Sequence, residues 1–155
     1  MTVSNQQFYD DLAREDELGI ILKGHLHIEH QLKEFISLLL PFGERCDWFK
    51  VSYAARVEIA LSVGLPDDMR NPLENIVKLR NNFAHNLDCE LDKKTILDFY
   101  NGLSNRHREI VKLCHKELGK SQPLKPSEAD GLELLQIIIV SIHSAISAAM
   151  LEVKN

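Results

Sequence analysis

The sequence lacks the features of a membrane-spanning or disulfide-bonded protein. None of its apolar runs reaches, uninterrupted, the roughly 18 residues typical of a membrane helix, and the segment from Met1 to Asp11 is polar rather than a basic stretch followed by an apolar one. The three cysteines are odd in number and far apart, and their spacing fits no zinc motif. We therefore expect a cytoplasmic protein with reduced thiols and no membrane contact.

Basic residues do not outnumber acidic ones. The chain has 18 Lys and Arg against 23 Asp and Glu, a net charge of −5, so its averaged field repels a phosphate backbone. A superficial helix-turn-helix match at Tyr53 to Pro66 leads into a segment that opens with Asp67 and Asp68, where a recognition helix would carry basic residues. Direct DNA binding is therefore not expected.

Motifs that hold nucleotides or catalytic groups are also missing. There is no glycine-rich phosphate loop, no serine nucleophile elbow and no zinc-protease pair of histidines. The sequence supports no cofactor and no metal. Any enzyme activity would have to arise from a smaller constellation of side chains.

Helical periodicity runs through most of the 155 residues. Apolar residues recur at three- and four-residue steps from Leu18 to Leu40, where Pro41 ends the pattern, and again in the segments that follow. The expected capping residues and helix ends are Ser4 with Gln7, Ser52, Gly64, Asn86 and Asp92. No segment is better explained as a β-strand than as part of a helix. The pattern predicts an all-α, single-domain helical bundle of about five to seven helices over residues 1–155.

The C-terminal region predicts a long apolar helix behind a linker. Residues 119–126 contain glycine and two prolines and form the linker, and Ser127 to Asp130 has a capping-box pattern that would open the helix. The helix is apolar nearly all round from Leu132 to Leu151, so it must be covered on most sides. We favour a central helix of the bundle, with a partial dimer surface as the alternative.

The segment Arg80-Asn81-Asn82-Phe83-Ala84-His85 lies near the end of a predicted helix. An Arg offers a positive fork for a phosphate and a His exchanges protons near neutral pH, which together suffice for RNA cleavage by 2′-hydroxyl attack, with Asn81 orienting either group. The simpler interpretation is structural: Arg80 pairs with Glu58 or Glu29 on a neighbouring helix, and His85 caps its own helix.

Two family resemblances bear on this segment. Arg80 and His85, separated by four residues at a helix end, resemble the Arg/His signature of the HEPN superfamily, many of whose members are metal-independent ribonucleases of toxin or defence systems. In those members the two residues form a cleft at a dimer interface. The resemblance implies catalytic roles for Arg80, His85 and Asn81, with RNA as the substrate.

A longer stretch is similar to the mannitol operon repressor (MltR-like) family. The match runs from Phe49 to Asn86, with further similarity in Gly24 to Leu32 and in the apolar C-terminal helix. That family is helical and regulates a sugar-alcohol operon without a recognisable DNA-binding motif. The resemblance implies a bacterial transcriptional repressor or co-regulator that acts through a protein partner. We expect this chain to form a homodimer and to have no catalytic activity of its own.

Other titratable clusters are interpreted as structural. On a helix, His25 shares a face with Glu29 and His27 shares one with His30, but no third ligand follows, so we expect partly buried histidines rather than a metal site. His143 lies in an apolar helix and is expected to be a hydrogen-bonded core residue. The most basic segment, residues 106–116, is interrupted by Glu109 and is expected to be a solvated helix face.

Overall fold

The computed structural model describes residues 3–86, 88 and 90–155. Across those residues it contains seven α-helices and no strand, as the periodicity predicted. The helices are α1 (Asn5–Ala13), α2 (Glu17–Leu39), α3 (Tyr53–Ser62), α4 (Arg70–His85), α5 (Lys93–Asn101), α6 (Asn105–Glu117) and α7 (Gly131–Lys154). Short 3-10 turns at Gly43–Arg45, Trp48–Lys50 and Asp67–Met69 occupy the connections before α3 and α4.

Local capping sets most helix ends. Ser4 and Gln7 form the expected capping box of α1, and the side chains of Ser52 and Asp92 accept backbone N–H groups at the starts of α3 and α5. Gly64, with φ of +124°, ends α3 in a left-handed turn in which the Leu65 N–H donates to Ala60 O at 3.0 Å. These ends follow the sequence closely because each depends on residues only a few positions away.

The start of α7 differs from the predicted one. The helix begins at Gly131, so the expected capping box at Ser127 to Asp130 is wrong. The Lys125 carbonyl instead accepts the N–H groups of Glu128 and Ala129 in a separate turn, and the Ser127 carbonyl accepts a hydrogen bond from Lys93 Nζ at 2.7 Å. Contacts with another helix therefore decide this local structure.

The helix α7 is the central element of the fold. It packs against α1, α2, α4, α5 and α6, and its residues 134–143 are all buried. Buried apolar residues from all seven helices join around it in one core cluster. A helix that is apolar nearly all round is stable only when other helices cover it, and the packing around α7 provides this cover.

Close packing of α2 on α7 depends on Gly24. A Cβ at this position would lie 3.0 Å from Cγ2 and 3.1 Å from Cδ1 of Ile139, closer than carbon atoms normally pack. The side chain of Ile139 on α7 therefore packs directly against the backbone of α2 at Gly24.

Candidate functional site

The residues Arg80, Asn81 and His85 lie together on the last two turns of α4. The opposite face of this helix buries Leu73, Ile76 and Leu79 in the core, which leaves all three polar side chains exposed to solvent. The helix stays regular through His85, so Arg80 and His85 leave its axis about 140° apart. Within one chain they therefore project from different faces of α4.

Arg80 does not form the expected ion pairs. Its Nη1 donates to Asn81 Oδ1 at 3.2 Å, and among the described residues no carboxylate lies within 4.0 Å of it. Glu58 instead binds the guanidinium of Arg70, which lowers the pKa of the Glu58 carboxyl. The reason is distance: α4 runs past α3 from Arg70 onward, and Arg80 lies about 15 Å further along the helix.

Glu29, the other expected partner, lies in a group of polar side chains between α2 and α3. Its carboxylate is 3.9 Å from Nη1 of Arg56 and 3.7 Å from Nδ1 of His25. Burial lowers the pKa of His25; the nearby Glu29 opposes this shift and the Arg80 guanidinium adds to it. Arg80 thus lies near enough to α2 to act on His25, although it makes no bond with that helix.

Arg56 is a structural residue that the sequence analysis did not single out. It is buried and donates to the carbonyl oxygens of Val51, Glu29 and Trp48 at 3.2, 3.0 and 2.7 Å. The signal was present in the sequence, since Arg56 lies on the apolar stripe of α3 between Tyr53 and Ala60. An arginine on a buried stripe must find acceptors inside the fold.

Three helices are tied together by a pair of histidines. His143 Nε2 lies 2.9 Å from Val3 O and therefore donates to it, so His143 Nδ1 must accept from His27 Nε2 at 2.8 Å. The ring of His27 stacks on Phe8 of α1 with centroids 4.1 Å apart. His143 is thus the hydrogen-bonded core residue expected from its apolar helix.

His25, His27 and His30 do not converge. His30 is exposed and bonds to Glu34 at 2.8 Å, His25 faces Glu29 and Tyr53, and His27 faces His143. In the part of the chain that is described, no three His, Cys, Asp or Glu side chains are placed to hold a metal ion.

The basic segment of α6 divides into two parts. At its start, Arg106 binds both carboxylate oxygens of Asp68, at 2.7 and 2.8 Å, and His107 is fully buried against Ser141. Towards its end, Lys112, His115 and Lys116 remain at the surface. Only this second part is open to a ligand.

An exposed row of leucines runs along α2. Leu18, Leu22 and Leu26, four residues apart, expose 43%, 39% and 63% of their surface. Residues four apart lie on one helix face, so the three form a continuous apolar ridge, which we call the leucine row. Large apolar residues clustered at a surface are typical of protein contact sites.

Comparison of the chain with protein-family models, with curated proteins and with solved structures gave no match.

Proposed function

We propose that this protein is a bacterial transcriptional regulator or co-regulator of the mannitol operon repressor kind, a cytoplasmic homodimer that acts through protein contacts. The observation that carries the proposal is the leucine row on α2. Three leucines on one face of a long helix favour burial against the same face of a second copy of this chain, since each loses unfavourable contact with water when covered.

The charge distribution supports protein contacts over direct DNA binding. The net charge is −5, and the arginine that opens the basic segment, Arg106, is neutralised by Asp68. A DNA-binding helix needs several free basic side chains on one face. The α4 helix, which follows the helix-turn-helix-like stretch, carries Glu74 on an exposed position.

The proposed cytoplasmic location rests on the packing of α7. Among the described helices only α7 is long and apolar enough to cross a bilayer. Within its most apolar stretch of 18 residues, 72% is buried inside the fold. A helix that serves as the centre of a core has its apolar surface already covered.

A complementation experiment tests the regulator directly. The gene is deleted from its host, transcripts are measured, and expression is restored with the wild type, with Leu22→Lys/Leu26→Lys or with His85→Ala. We expect the wild type and His85→Ala to restore the transcript pattern and the leucine-row variant to fail, because two buried ammonium groups would prevent the contact.

The matched control is Leu113→Lys/Leu151→Lys, which places the same charges on leucines of α6 and α7 that are 58% and 61% exposed. Restoration by the leucine-row variant to the level of this control would contradict the proposal.

A second candidate function, RNA cleavage, is favoured by the exposure of the Arg80 segment. Arg80, Asn81 and His85 are all open to solvent, and no carboxylate in the described residues neutralises Arg80. In this reaction His85 accepts the proton of the 2′-hydroxyl, whose oxygen attacks the phosphorus and displaces the 5′-oxygen. The departing 5′-oxygen takes a proton from water, so the products are a 2′,3′-cyclic phosphate and a 5′-hydroxyl. Because Arg80 and His85 of one chain project from different faces of α4, the Arg80 that binds the phosphate oxygens would come from the second chain of a dimer. Asn81 would orient its guanidinium.

RNA cleavage in EDTA distinguishes the two functions. The wild type is compared with Arg80→Ala and His85→Ala, each verified by circular dichroism. Loss of cleavage in both folded variants would establish the nuclease and replace the regulator proposal. No cleavage by the wild type would leave the Arg80 segment without a catalytic role.

A further inference from the structure

The C-terminal half of α6 and the loop after it line a cavity of about 490 Å³ that is open to solvent on one side. Four basic side chains line it: Lys112, His115, Lys116 and Lys120. No carboxylate is among the residues that line it directly, although Glu109 and Glu133 lie 3.1 and 2.8 Å from Lys112 and Lys120. In a chain with a net charge of −5, Lys116 adds a positive charge here that has no such partner among the described residues.

The wall of the cavity is fixed by contacts with two other helices. Gly119, with φ of +79°, turns the chain back after α6, and its N–H donates to Lys116 O at 3.1 Å. The next residue, Lys120, places its Nζ 2.8 Å from Glu133 on α7 and 5.7 Å from the ring centroid of Tyr9 on α1. The loop is therefore held against the bundle beside the lysines of α6.

Positive charge at the cavity is only partly compensated. Lys112 pairs with Glu109 at 3.1 Å, but both side chains are largely exposed, and such a pair contributes little. Lys116 has no carboxylate within 4.0 Å among the described residues. An anion that enters the cavity would therefore meet at least one ammonium group without a partner.

The remaining lining residues indicate the shape of the ligand. Ser121 and Gln122 supply neutral hydrogen-bonding groups, and Pro123 and Leu124 supply an apolar wall. The volume lies within the range of about 300–1,000 Å³ typical of small-molecule sites. This combination suits a compact molecule with one strongly anionic group and a less polar body.

We propose that this cavity binds a phosphorylated small molecule, with Lys116 and Lys112 contacting the phosphate and the loop 121–124 contacting the body of the ligand. A long polyanion fits less well, because Glu109 and Glu117 lie on the same helix on either side of the lysines and would repel phosphates that extend past the cavity. The binding site is separate from the Arg80 segment and from the leucine row.

Isothermal titration calorimetry on the full chain tests the proposal. The probes are ribose 5-phosphate, inorganic phosphate and ribose, all at one ionic strength set with sodium chloride. We expect saturable binding of ribose 5-phosphate, weaker binding of inorganic phosphate and none of ribose. Lys116→Gln should weaken the ribose 5-phosphate affinity by about tenfold or more, the loss expected for a charge-assisted hydrogen bond.

The control variant is Lys78→Gln, which removes an exposed lysine on α4 and should leave the affinity unchanged. Equal affinities for the wild type and Lys116→Gln, or no saturable heat with either phosphate probe, would overturn the proposal. Binding of a short RNA oligonucleotide through Lys116 without binding of ribose 5-phosphate would also overturn it.

Discussion

At the scale of single residues, Arg56 shows how a buried charge can organise a helical core. Its guanidinium donates to three carbonyl oxygens that belong to α2 and to the connection before α3. No apolar side chain of similar length can replace these bonds. The residue therefore joins two helices and a loop that would otherwise leave buried acceptors without donors.

We expect Arg56→Met to lower the free energy of unfolding by about 3 kcal/mol, because several buried carbonyl groups lose their donors while the volume is nearly kept. Urea denaturation followed by circular dichroism measures this loss. The control is Arg14→Met, whose side chain is exposed and lies 3.9 Å from Asp11; it should change stability by less than about 0.5 kcal/mol. Equal effects of the two substitutions would show that the carbonyl contacts of Arg56 do not matter.

A second prediction at the scale of single residues concerns His107 and the pH dependence of stability. Ser141 Oγ donates to Ile138 O, so it accepts from His107 Nε2, and Nδ1 of His107 has no partner among the described residues. Burial lowers the pKa of His107 to about 4; the Asp68 carboxylate partly opposes this shift, and the Arg106 guanidinium adds to it. Protonation would place an N–H at Nδ1 in the core without an acceptor.

The sign of the pH effect follows from this lowered pKa. In the unfolded state His107 binds a proton near pH 6.5, and in the folded state it does so only near pH 4. The free energy of unfolding therefore falls as the pH drops from 6.5 to 4, and the contribution of His107 stays constant below pH 4. His107→Gln should reduce the stability difference between pH 7 and pH 5 by about 2 kcal/mol. Urea denaturation at both pH values measures it, and an unchanged difference would refute the assignment.

The partners of the charged surface residues could not be predicted from the sequence. Glu58 was expected beside Arg80 and lies beside Arg70, because the pairing depends on how far α4 slides along α3, which periodicity does not encode. His107 belongs to a segment that was expected to be a solvated helix face, and this was wrong for His107, which is fully buried and bonds to Ser141 on α7. Arg56 lies on a recognisable apolar stripe, but one of its acceptors, Glu29 O, comes from a different helix. Periodicity therefore predicts the apolar core more readily than the polar groups that are buried beside it.

At the scale of elements, helix positions were predicted well where the end signals are local. Ser52 and Gly64 bound α3, and the predicted helix at Leu18 to Leu40 corresponds to α2 at Glu17–Leu39. The start of α7 was not predictable in the same way, because Lys93 of α5 takes up the Ser127 carbonyl. A capping pattern in the sequence cannot predict a helix end that depends on tertiary contacts.

The contact between α2 and α7 gives an element-scale prediction. Gly24→Ala should destabilise the protein by roughly 1–3 kcal/mol, since the added methyl group overlaps Ile139 and forces the two helices apart. In an Ile139→Ala background the same substitution should cost much less, because the obstructing side chain is gone. A double-mutant cycle in urea measures the coupling. Strictly additive effects would contradict a contact between these residues.

At the scale of the whole molecule, the all-α bundle with its long apolar C-terminal helix follows from periodicity alone. The surface proposed for protein contacts does not, because apolar residues of the leucine row continue the same helical pattern as the core residues of α2. Periodicity predicted Leu18, Leu22 and Leu26 as members of the helix, while their exposure depends on how few neighbours cover that side. The leucine row was thus predicted as three residues of a helix but not as an exposed surface.

The prediction at the scale of the whole molecule concerns the mass of the proposed homodimer in solution. Light scattering coupled to size-exclusion chromatography should give twice the mass of one chain for the wild type and for Leu113→Lys/Leu151→Lys. Leu22→Lys/Leu26→Lys should give the mass of a single chain, because the leucine row would then have to bury two charges. A monomeric wild type, or a dimeric leucine-row variant, would contradict self-association through this face.

The place of α7 in the chain has a consequence for synthesis. It is the common partner of five other helices, yet it follows all of them in sequence. A ribosome that has translated α1 to α6 therefore holds a nascent chain whose apolar helix faces have no centre to pack around. Until α7 has been translated, the apolar surfaces that α1, α2, α4, α5 and α6 bury against it stay open to water, so the complete core can form only at the end of synthesis.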